Sequence, residues 1–475
     1  MTSLLPSGHV FPADFLWGSA TAAYQVEGAA TAGGRTPCIW DTFAAAGRTL
    51  NGDDGSVAAD HYHRYASDVA LMRDLGLGAY RFSVAWPRVQ PTATGGPNAA
   101  GLAFYDRLVD ELLGAGIEPV LTLYHWDLPQ WVQDEGGWPV RSTAERFAQY
   151  SAWVADALGD RVRRWTTLNE PYCSAYLGHA SGVHAPGITD GAAALAAVHH
   201  LNLGHGLAGR AVREHASGGV DLSVVLNLHV VRAASQDAAD VGAKARVDRL
   251  ANEAFVGPML EGAYPAELLA DTRAVTDWSF VRDGDEASIA VPLDSLGINY
   301  YNTSLVRDGV PPVGDGRPGA DGHQTSPHSA WVGSDRLEFL AQPGPHTRMG
   351  WNIEPEGLVE LLTDVSRRFP DLPLYVTENG AAFEDVVSPD GAVHDPQRLA
   401  YVRDHVDAVG RAREAGADVR GYFLWSFMDN FEWAWGYDRR FGMVRVDYDD
   451  LTRTVKDSGW WYRDLIAQQR AADRG

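Results

Sequence analysis

Eight short apolar segments, separated by amphipathic ones, constrain the fold of this chain more than any other feature of its sequence. Between these segments, apolar residues recur every three or four positions, as in residues 65–76, 103–116 and 399–416, which predicts helices. Strands that alternate with helices pair in parallel, so eight such units predict an α/β fold, a single (β/α)8 TIM barrel with long βα loops. The predicted strands are residues 15–21, 79–86, 118–126, 164–170, 221–228, 295–301, 372–379 and 419–427.

A doubly wound open sheet is the alternative arrangement of such elements. It requires a glycine-rich turn after the first strand, and the sequence WGSATAAYQVEG does not provide one. A GxGxxG match at residues 314–319 follows no predicted strand directly and is interpreted as a loop. Residues 307–347 are rich in Gly and Pro and predict a long insertion after a strand. No break in composition divides the chain, so residues 1–475 are expected to form one domain.

Charge and composition exclude several classes of partner. A formal net charge of −23 disfavours nucleic acids and gives no reason to expect an anionic membrane surface. The sequence has neither a basic, apolar secretory signal nor an apolar run of ~20 residues, which favours a cytoplasmic protein without membrane contact. Two cysteines, Cys38 and Cys173, do not make a disulfide framework, and neither HExxH nor paired CxxC occurs. We therefore expect no metal and no cofactor.

Two of the predicted strands end in a glutamate. Glu170 closes residues 164–170, and Glu378 lies at the end of residues 372–379. A carboxylate at the end of a buried strand is costly to desolvate unless it is used. The carboxyl ends of barrel strands form the active-site rim, where these two groups would face each other. Two carboxyl groups across a pocket suit glycosidic bond cleavage, in which one protonates the leaving oxygen and the other attacks the anomeric carbon or activates water.

Other predicted rim positions offer the donors, acceptors and aromatic faces that a polyhydroxylated ring requires. Arg81 lies inside an apolar strand, where its guanidinium requires an acid; a catalytic glutamate and a separate structural acid both remain open. We expect Trp126 to contact the substrate and Asn299 to support Glu378. The other rim residues are Gln25, His125, Asn169, Tyr301, Trp425, Glu432 and Trp433.

An ordered set of motifs resembles glycoside hydrolase family 1, the β-glucosidases and their relatives, over nearly the whole chain. The opening FPADFLWGSATAAYQVEGA is similar to the family's N-terminal signature. It is followed, in the family's order, by YHWDLP, TLNEP, HAPG, GINYY, MGW, PEGL, TENG and WSFMDNFEWAWGYDRRFG.

The resemblance implies a retaining β-glycosidase without a cofactor that acts on a small-molecule β-glycoside or a short oligosaccharide. Glu170 in TLNEP matches the acid/base, and Glu378 in TENG matches the nucleophile, which Arg81 and Tyr301 would hold. Trp351 matches a wall of the subsite for the aglycone, and Trp425 matches the platform under the sugar. The positions that match contacts to the non-reducing sugar are Gln25, His125, Asn169, Glu432 and Trp433.

The resemblance leaves some questions of function open. A 6-phospho-β-glucosidase and a non-catalytic sugar-binding protein are the alternatives to a β-glucosidase, although such binding proteins usually lose a catalytic glutamate. Ile353, Glu354 and Trp435 depart from residues frequent in the family and are expected near the cavity entrance, where they affect aglycone preference. The sequence leaves open the ranking of glucosides, galactosides and fucosides, as well as the oligomeric state, a homo-oligomer included.

Overall fold

Eight parallel strands close into a barrel in the computed structural model, which describes residues 4–310, 324 and 326–472. Around the barrel the strands follow chain order, and the eighth pairs with the first. The (β/α)8 prediction is therefore confirmed. The strands are β1 (Leu16–Ala20), β2 (Ala79–Ser83), β3 (Glu118–Tyr124), β4 (Arg164–Asn169), β5 (Asp221–Leu226), β6 (Leu296–Asn299), β7 (Leu374–Asn379) and β8 (Val419–Trp425).

Each predicted strand contains one barrel strand, but most of the predictions extend past its carboxyl end. The segment 79–86 was predicted to stay extended, yet β2 ends at Ser83 and a short helix begins at Trp86. Trp126 and Glu170, placed in strands by the sequence pattern, have φ of +75° and +44°. These residues lie just past the strand ends, where the backbone turns out of the hydrogen-bonded sheet.

Helices pack around the barrel, and the three helices predicted from periodicity are present as His61–Asp74, Ala99–Gly114 and Pro396–Glu414. Gly76 and Gly116, with φ of +72° and +74°, follow the first two, as expected for left-handed C-terminal caps. The other α-helices are Ala23–Val26, Ile39–Ala45, Trp86–Val89, Gln130–Asp134, Arg141–Leu158, Gly191–His215, Ala238–Asp248, Ala254–Val256, Ala266–Thr272, Asp285–Ile289, Pro355–Arg368 and Asp457–Ala472. Shorter 3-10 and π turns are Ala32–Gly34, Leu50–Gly52, Cys173–Leu177, Arg249–Glu253, Gly257–Glu261 and Trp433–Trp435.

Two small sheets that the sequence pattern did not predict lie outside the barrel. One joins Val230–Ala233, Thr303–Arg307 and Glu338–Phe339, and the other pairs Val444–Val446 with Arg453–Val455. The predicted insertion at residues 307–347 therefore contains a short strand in its described part. The interpretation of residues 314–319 as a loop falls outside the described residues.

The two ends of the barrel differ in how their polar groups are used. At the amino ends, Arg164 of β4 binds Glu118 of β3 at 2.8 Å and Asp221 of β5 at 2.6 Å. It also donates to the Tyr375 hydroxyl at 2.9 Å. These contacts join β3, β4, β5 and β7 at their amino ends. The predicted rim residues lie at the opposite, carboxyl ends of the strands. None of the helices in the described ranges is long and apolar enough to cross a membrane.

Candidate active site

A cavity opens at the carboxyl ends of the barrel strands. Ten of the thirteen predicted site residues contribute to its lining. They are His125, Trp126, Glu170, Asn299, Tyr301, Trp351, Glu378, Trp425, Glu432 and Trp433. The other three, Gln25, Arg81 and Asn169, are buried behind these residues and hydrogen-bond to the rim or to the loop that carries Glu432.

Glu378 is held by two donors, one on each carboxyl oxygen. Arg81 Nη1 donates to Oε1 at 2.7 Å, and the Tyr301 hydroxyl donates to Oε2 at 2.7 Å. The question of which acid pairs with Arg81 is thereby answered in favour of Glu378. Burial raises the pKa of Glu378, whereas the Arg81 charge and the Tyr301 hydrogen bond oppose that rise by favouring the ionised form.

Glu170 has a different environment, with no guanidinium among the hydrogen-bond partners that the structure describes. Asn299 Nδ2 donates to its Oε1 at 2.6 Å, and the Cys173 thiol donates to its Oε2 at 3.4 Å. Burial, followed by the charge of Glu378, raises the pKa of Glu170 to about 8. Of the two carboxyl groups, Glu170 is therefore the one that carries a proton at neutral pH.

A chain of side chains from β2, β4 and β6, with His125 directly after β3, fixes the geometry behind these acids. Asn169 Oδ1 accepts from Arg81 Nη2 at 2.6 Å and from Asn299 Nδ2 at 3.2 Å. Asn169 Nδ2 lies 3.0 Å from Nε2 of His125. Burial and the Arg81 charge lower the pKa of His125 well below its usual value, so the ring is neutral and Nε2 accepts from Asn169. Its Nδ1 then carries hydrogen and has no partner within the described residues.

Glu432 and Gln25 lie together at another side of the cavity. Gln25 Nε2 donates to the carbonyl oxygen of Phe431, the residue before Glu432, at 2.8 Å. Glu432 Oε2 and Gln25 Oε1 are buried and accept no hydrogen bond from any described residue. Burial, with the charges of Glu378 and Glu170, raises the pKa of Glu432 to about 8. Two buried acceptors without donors favour a ligand that brings hydroxyl groups.

Indole and phenol rings form the walls. Trp126 and Trp433 have ring centroids 4.6 Å apart, and Tyr301 and Trp351 have centroids 5.0 Å apart. Trp126 also donates from Nε1 to the carbonyl oxygen of Asn169 at 2.9 Å, so its indole NH is engaged while its ring lines the cavity. Broad aromatic faces of this kind suit the C–H faces of a pyranose.

Further lining residues were not predicted from the sequence. Ser304, Tyr300, Phe339 and Phe441 are among them, with Tyr172, Cys173, His184, Asn227, His229 and Trp331. They come from loops and from the small sheet, where no periodic pattern marks them. Trp435 lines the cavity as expected, whereas Ile353 and Glu354 do not belong to its described lining. Glu354 instead binds Arg232 at 2.5 Å.

Asn299 lies between the two acids rather than beside Glu378 alone, since it donates to Glu170 at 2.6 Å and also hydrogen-bonds to Glu378, where it favours the ionised form. In the part of the chain that the structure describes, no group of three or more His, Cys, Asp or Glu side chains could hold a metal ion.

A family model described as glycosyl hydrolase family 1 matches residues 7–471. The chain belongs to glycosyl hydrolase family 1. The bifunctional β-D-glucosidase/β-D-fucosidase of Bifidobacterium breve is 52% identical over 470 residues, covering 97% of this chain and 99% of that protein. β-Glucosidase A of Thermotoga maritima is 41% identical, covering 98% and 99%.

Solved structures of family 1 members superpose closely on this one. The psychrophilic β-glucosidase of Micrococcus antarcticus has a TM-score of 0.94 at 47% identity and covers 99% of this chain and 100% of its own. The Thermotoga maritima β-glucosidase in complex with glucoimidazole has a TM-score of 0.88 at 41% identity, covering 97% and 99%. The fold prediction and the family resemblance are both confirmed.

Proposed function

We propose that this chain is a retaining β-glucosidase that hydrolyses terminal, non-reducing β-D-glucosyl residues. Glu378 acts as the nucleophile and Glu170 as the acid/base. The observation that carries the proposal is the unequal environment of the two acids: Glu378 accepts from Arg81 and Tyr301, whereas Glu170 accepts from an amide and a thiol. Such an inequality assigns the ionised and protonated roles that double displacement requires.

In the first step, Glu378 attacks the anomeric carbon while Glu170 gives its proton to the departing oxygen. A covalent glycosyl–enzyme forms, and the negative charge of Glu378 is consumed in the new bond. Because that charge is one cause of the raised pKa of Glu170, its loss lowers the pKa of Glu170. Glu170 is then the base that takes a proton from the incoming water in the second step.

The other predicted residues bind the sugar. Glu432 and Gln25 accept from hydroxyl groups, Glu432 from those at positions 4 and 6, and His125 donates from Nδ1; these roles suit buried atoms that have no hydrogen-bond partner among the described residues. Asn169 contacts the 2-hydroxyl, Trp425 is the platform, and Trp126 and Trp433 are walls. Trp351 borders the aglycone. The site roles and the single domain over residues 1–475 remain predictions.

The names of the relatives support glucosides as substrates, and the Bifidobacterium relative's name also supports fucosides. The 6-phosphate alternative is disfavoured because Glu432 is an acid and both nearby arginines have acidic partners: Arg439 binds Asp438 and Arg440 binds Asp429. The binding-protein alternative is disfavoured because both glutamates are present and supported by donors.

The proposal is tested by hydrolysis of nitrophenyl β-glucoside, fucoside and galactoside, with proton NMR of the first sugar released. We expect cleavage of the glucoside and an initial β-anomer, with the two carboxyl groups roughly 5–5.5 Å apart, as retaining enzymes require. An initial α-anomer would show inversion and overturn the assignment of Glu378. No hydrolysis of any of the three substrates would overturn the function itself.

A further inference from the structure

Cys173 is placed against the proposed acid/base, Glu170. Its thiol lies 3.4 Å from Glu170 Oε2, and its backbone amide donates to the carbonyl oxygen of Glu170 at 3.0 Å. The side chain is buried and contributes to the cavity lining. The residue is therefore fixed to Glu170 through both its backbone and its side chain.

Asn227 defines the direction of the thiol. Its Nδ2 points at the Cys173 sulfur at 3.7 Å, within the range for a hydrogen bond to sulfur. Because a thiol has one hydrogen, a sulfur that accepts from Asn227 directs its S–H toward the Glu170 carboxyl group. Asn299 holds the opposite oxygen of that carboxyl group at 2.6 Å.

We propose that Cys173, oriented by Asn227, is a positioning residue for Glu170 and sets the balance between its acid and base forms. The proposal rests on the proposed function. A weak S–H donor stabilises the carboxylate that must accept a proton in the second step, yet it leaves Oε2 able to carry a proton in the first. A hydroxyl there would favour the carboxylate too strongly, and a methyl group would not favour it at all.

The thiol remains a donor over the working range, because burial and the charge of Glu170 raise the pKa of Cys173. The other charged or titratable groups that act on Glu170 are Glu378, Arg81, Tyr301 and Glu432. None of these is changed by substitutions at position 173, so a shift in the titration of Glu170 reports on the thiol.

The test compares pH profiles of kcat/KM for nitrophenyl β-glucoside in the wild type, Cys173→Ala and Cys173→Ser. The alkaline limb reports the pKa of the acid in the free enzyme. We expect Cys173→Ala to move that limb up and Cys173→Ser to move it down, each by roughly half a pH unit, since a donor to the carboxylate lowers its pKa. Ser174→Ala, a change in the same turn, is the matched control and should leave the limb in place.

Asn227→Ala gives an independent arm. Alone, it should move the alkaline limb in the direction of Cys173→Ala but by less; combined with Cys173→Ala, it should add no further shift, since its effect passes through the thiol. Additive shifts, or shifts of the same sign for Ala and Ser at position 173, would overturn the proposal. Should Cys173→Ala fail to fold, the Ser variant still tests the sign. A wild type that does not cleave the glucoside contradicts the proposed function instead.

Discussion

Two buried groups of acids in this protein differ sharply in how their charges are balanced. The first, the ion network, consists of Asp385, Asp395 and Asp429 with Arg398, Arg440 and Lys456. The second, the glutamate cluster, consists of Glu170, Glu378 and Glu432. Arg81 is the cation that hydrogen-bonds to this second group among the described residues.

Every acid in the ion network has a cation in contact. Lys456 Nζ lies 2.7 Å from Asp429 and also binds Asp385. Arg398 binds Asp385 at 2.9 Å and Asp395 at 2.5 Å. Although burial alone raises it, the charges of Lys456, Arg440 and Arg398 hold the pKa of Asp429 below its ordinary value.

We infer from this difference that the ion network has a structural role and that the proposed chemistry belongs to the glutamate cluster. In the ion network the negative charge is matched and stays in place, and it anchors the loop that carries Glu432. In the glutamate cluster burial is similar but the cations are too few, so the pKa values of Glu170 and Glu432 rise to about 8. At this barrel rim few cations contact the acids, so their pKa values lie where the groups can exchange protons.

The largest expected effect comes from removing Glu378, the proposed nucleophile. Glu378→Ala should reduce kcat/KM on every nitrophenyl β-glycoside by roughly 10⁴-fold or more, because no covalent intermediate can form. Steady-state rates measured against Asp364→Ala, an exposed acid, provide the control. Substantial residual turnover would mean that the acids of the cluster do not have the roles that their partners suggest.

The acid/base variant should depend on the leaving group. Glu170→Ala should lower rates on poor leaving groups by up to about 10⁴-fold but affect dinitrophenyl glucoside far less, since that group departs with little protonation. Added azide should accelerate the variant and give a β-glycosyl azide, which product NMR detects. If Glu378→Ala and Glu170→Ala respond alike to leaving-group pKa, the two roles are wrongly assigned.

A change in the ion network should affect stability and spare the chemistry. Asp429→Asn leaves Lys456 and Arg440 without a charged partner at that position, and removing one partner of a buried ion pair costs about 3–5 kcal/mol. Urea unfolding measures the loss, and kcat on the folded fraction should stay close to that of the wild type. A large fall in kcat without loss of stability would contradict the structural role of the ion network.

A substrate that adds negative charge probes the shortage of cations. Nitrophenyl β-glucoside should be cleaved at least ~100-fold more efficiently than its 6-phosphate, about 2.7 kcal/mol in transition-state binding, because the buried cluster has too few cations to neutralise a phosphate dianion. Glu432→Ser should narrow the ratio, mainly by weakening the unphosphorylated substrate. Equal or reversed efficiencies in the wild type would favour the phospho-β-glucosidase alternative.

The smallest expected effect is a gain in stability that depends on pH. The pKa of Glu432 is about 8 in the folded protein and about 4.3 in the unfolded chain. Below the unfolded value the carboxyl group is neutral in both states, so its burial does not desolvate a charge. As pH rises from there toward 8, the unfolded chain ionises first and the free energy of unfolding falls. Glu432→Gln should therefore exceed the wild type by about 1–2 kcal/mol at pH 8, with the gap closing near pH 4.

In the same urea experiment, the contribution of Asp429 to the free energy of unfolding should depend on pH with the opposite sign. Its folded pKa is lowered, so the stability it provides is present above the unfolded value and is lost as pH falls through the folded one. If the difference in the free energy of unfolding between Glu432→Gln and the wild type does not change with pH, the raised pKa of Glu432 is contradicted.

The strands and most of the site could be predicted because a local apolar pattern marks each strand and barrel closure brings the carboxyl ends of the strands together, although the pattern did not fix the residues at which the strands end. Glu170 and Glu378 are far apart in sequence, yet parallel strands place both at one rim. From the residues alone Arg81 could be recognised only as needing an acid; the family resemblance pointed to Glu378, and the structure shows the contact. Cys173 and Asn227 could not be found in this way, because their contact depends on a loop conformation that has no period.

Arg81 reaches from β2 to Glu378 of β7 and Asn169 of β4, and Asn299 of β6 completes the connection. The two acids proposed to react are thus tied to strands of a closed barrel, with Glu378 inside β7 and Glu170 directly after β4, so that fraying of distant loops leaves their spacing intact. During heating, the catalytic groups are expected to keep their arrangement until the barrel itself opens. Loss of turnover on heating should then follow the cooperative unfolding of the whole sheet, with no earlier, separate inactivation step.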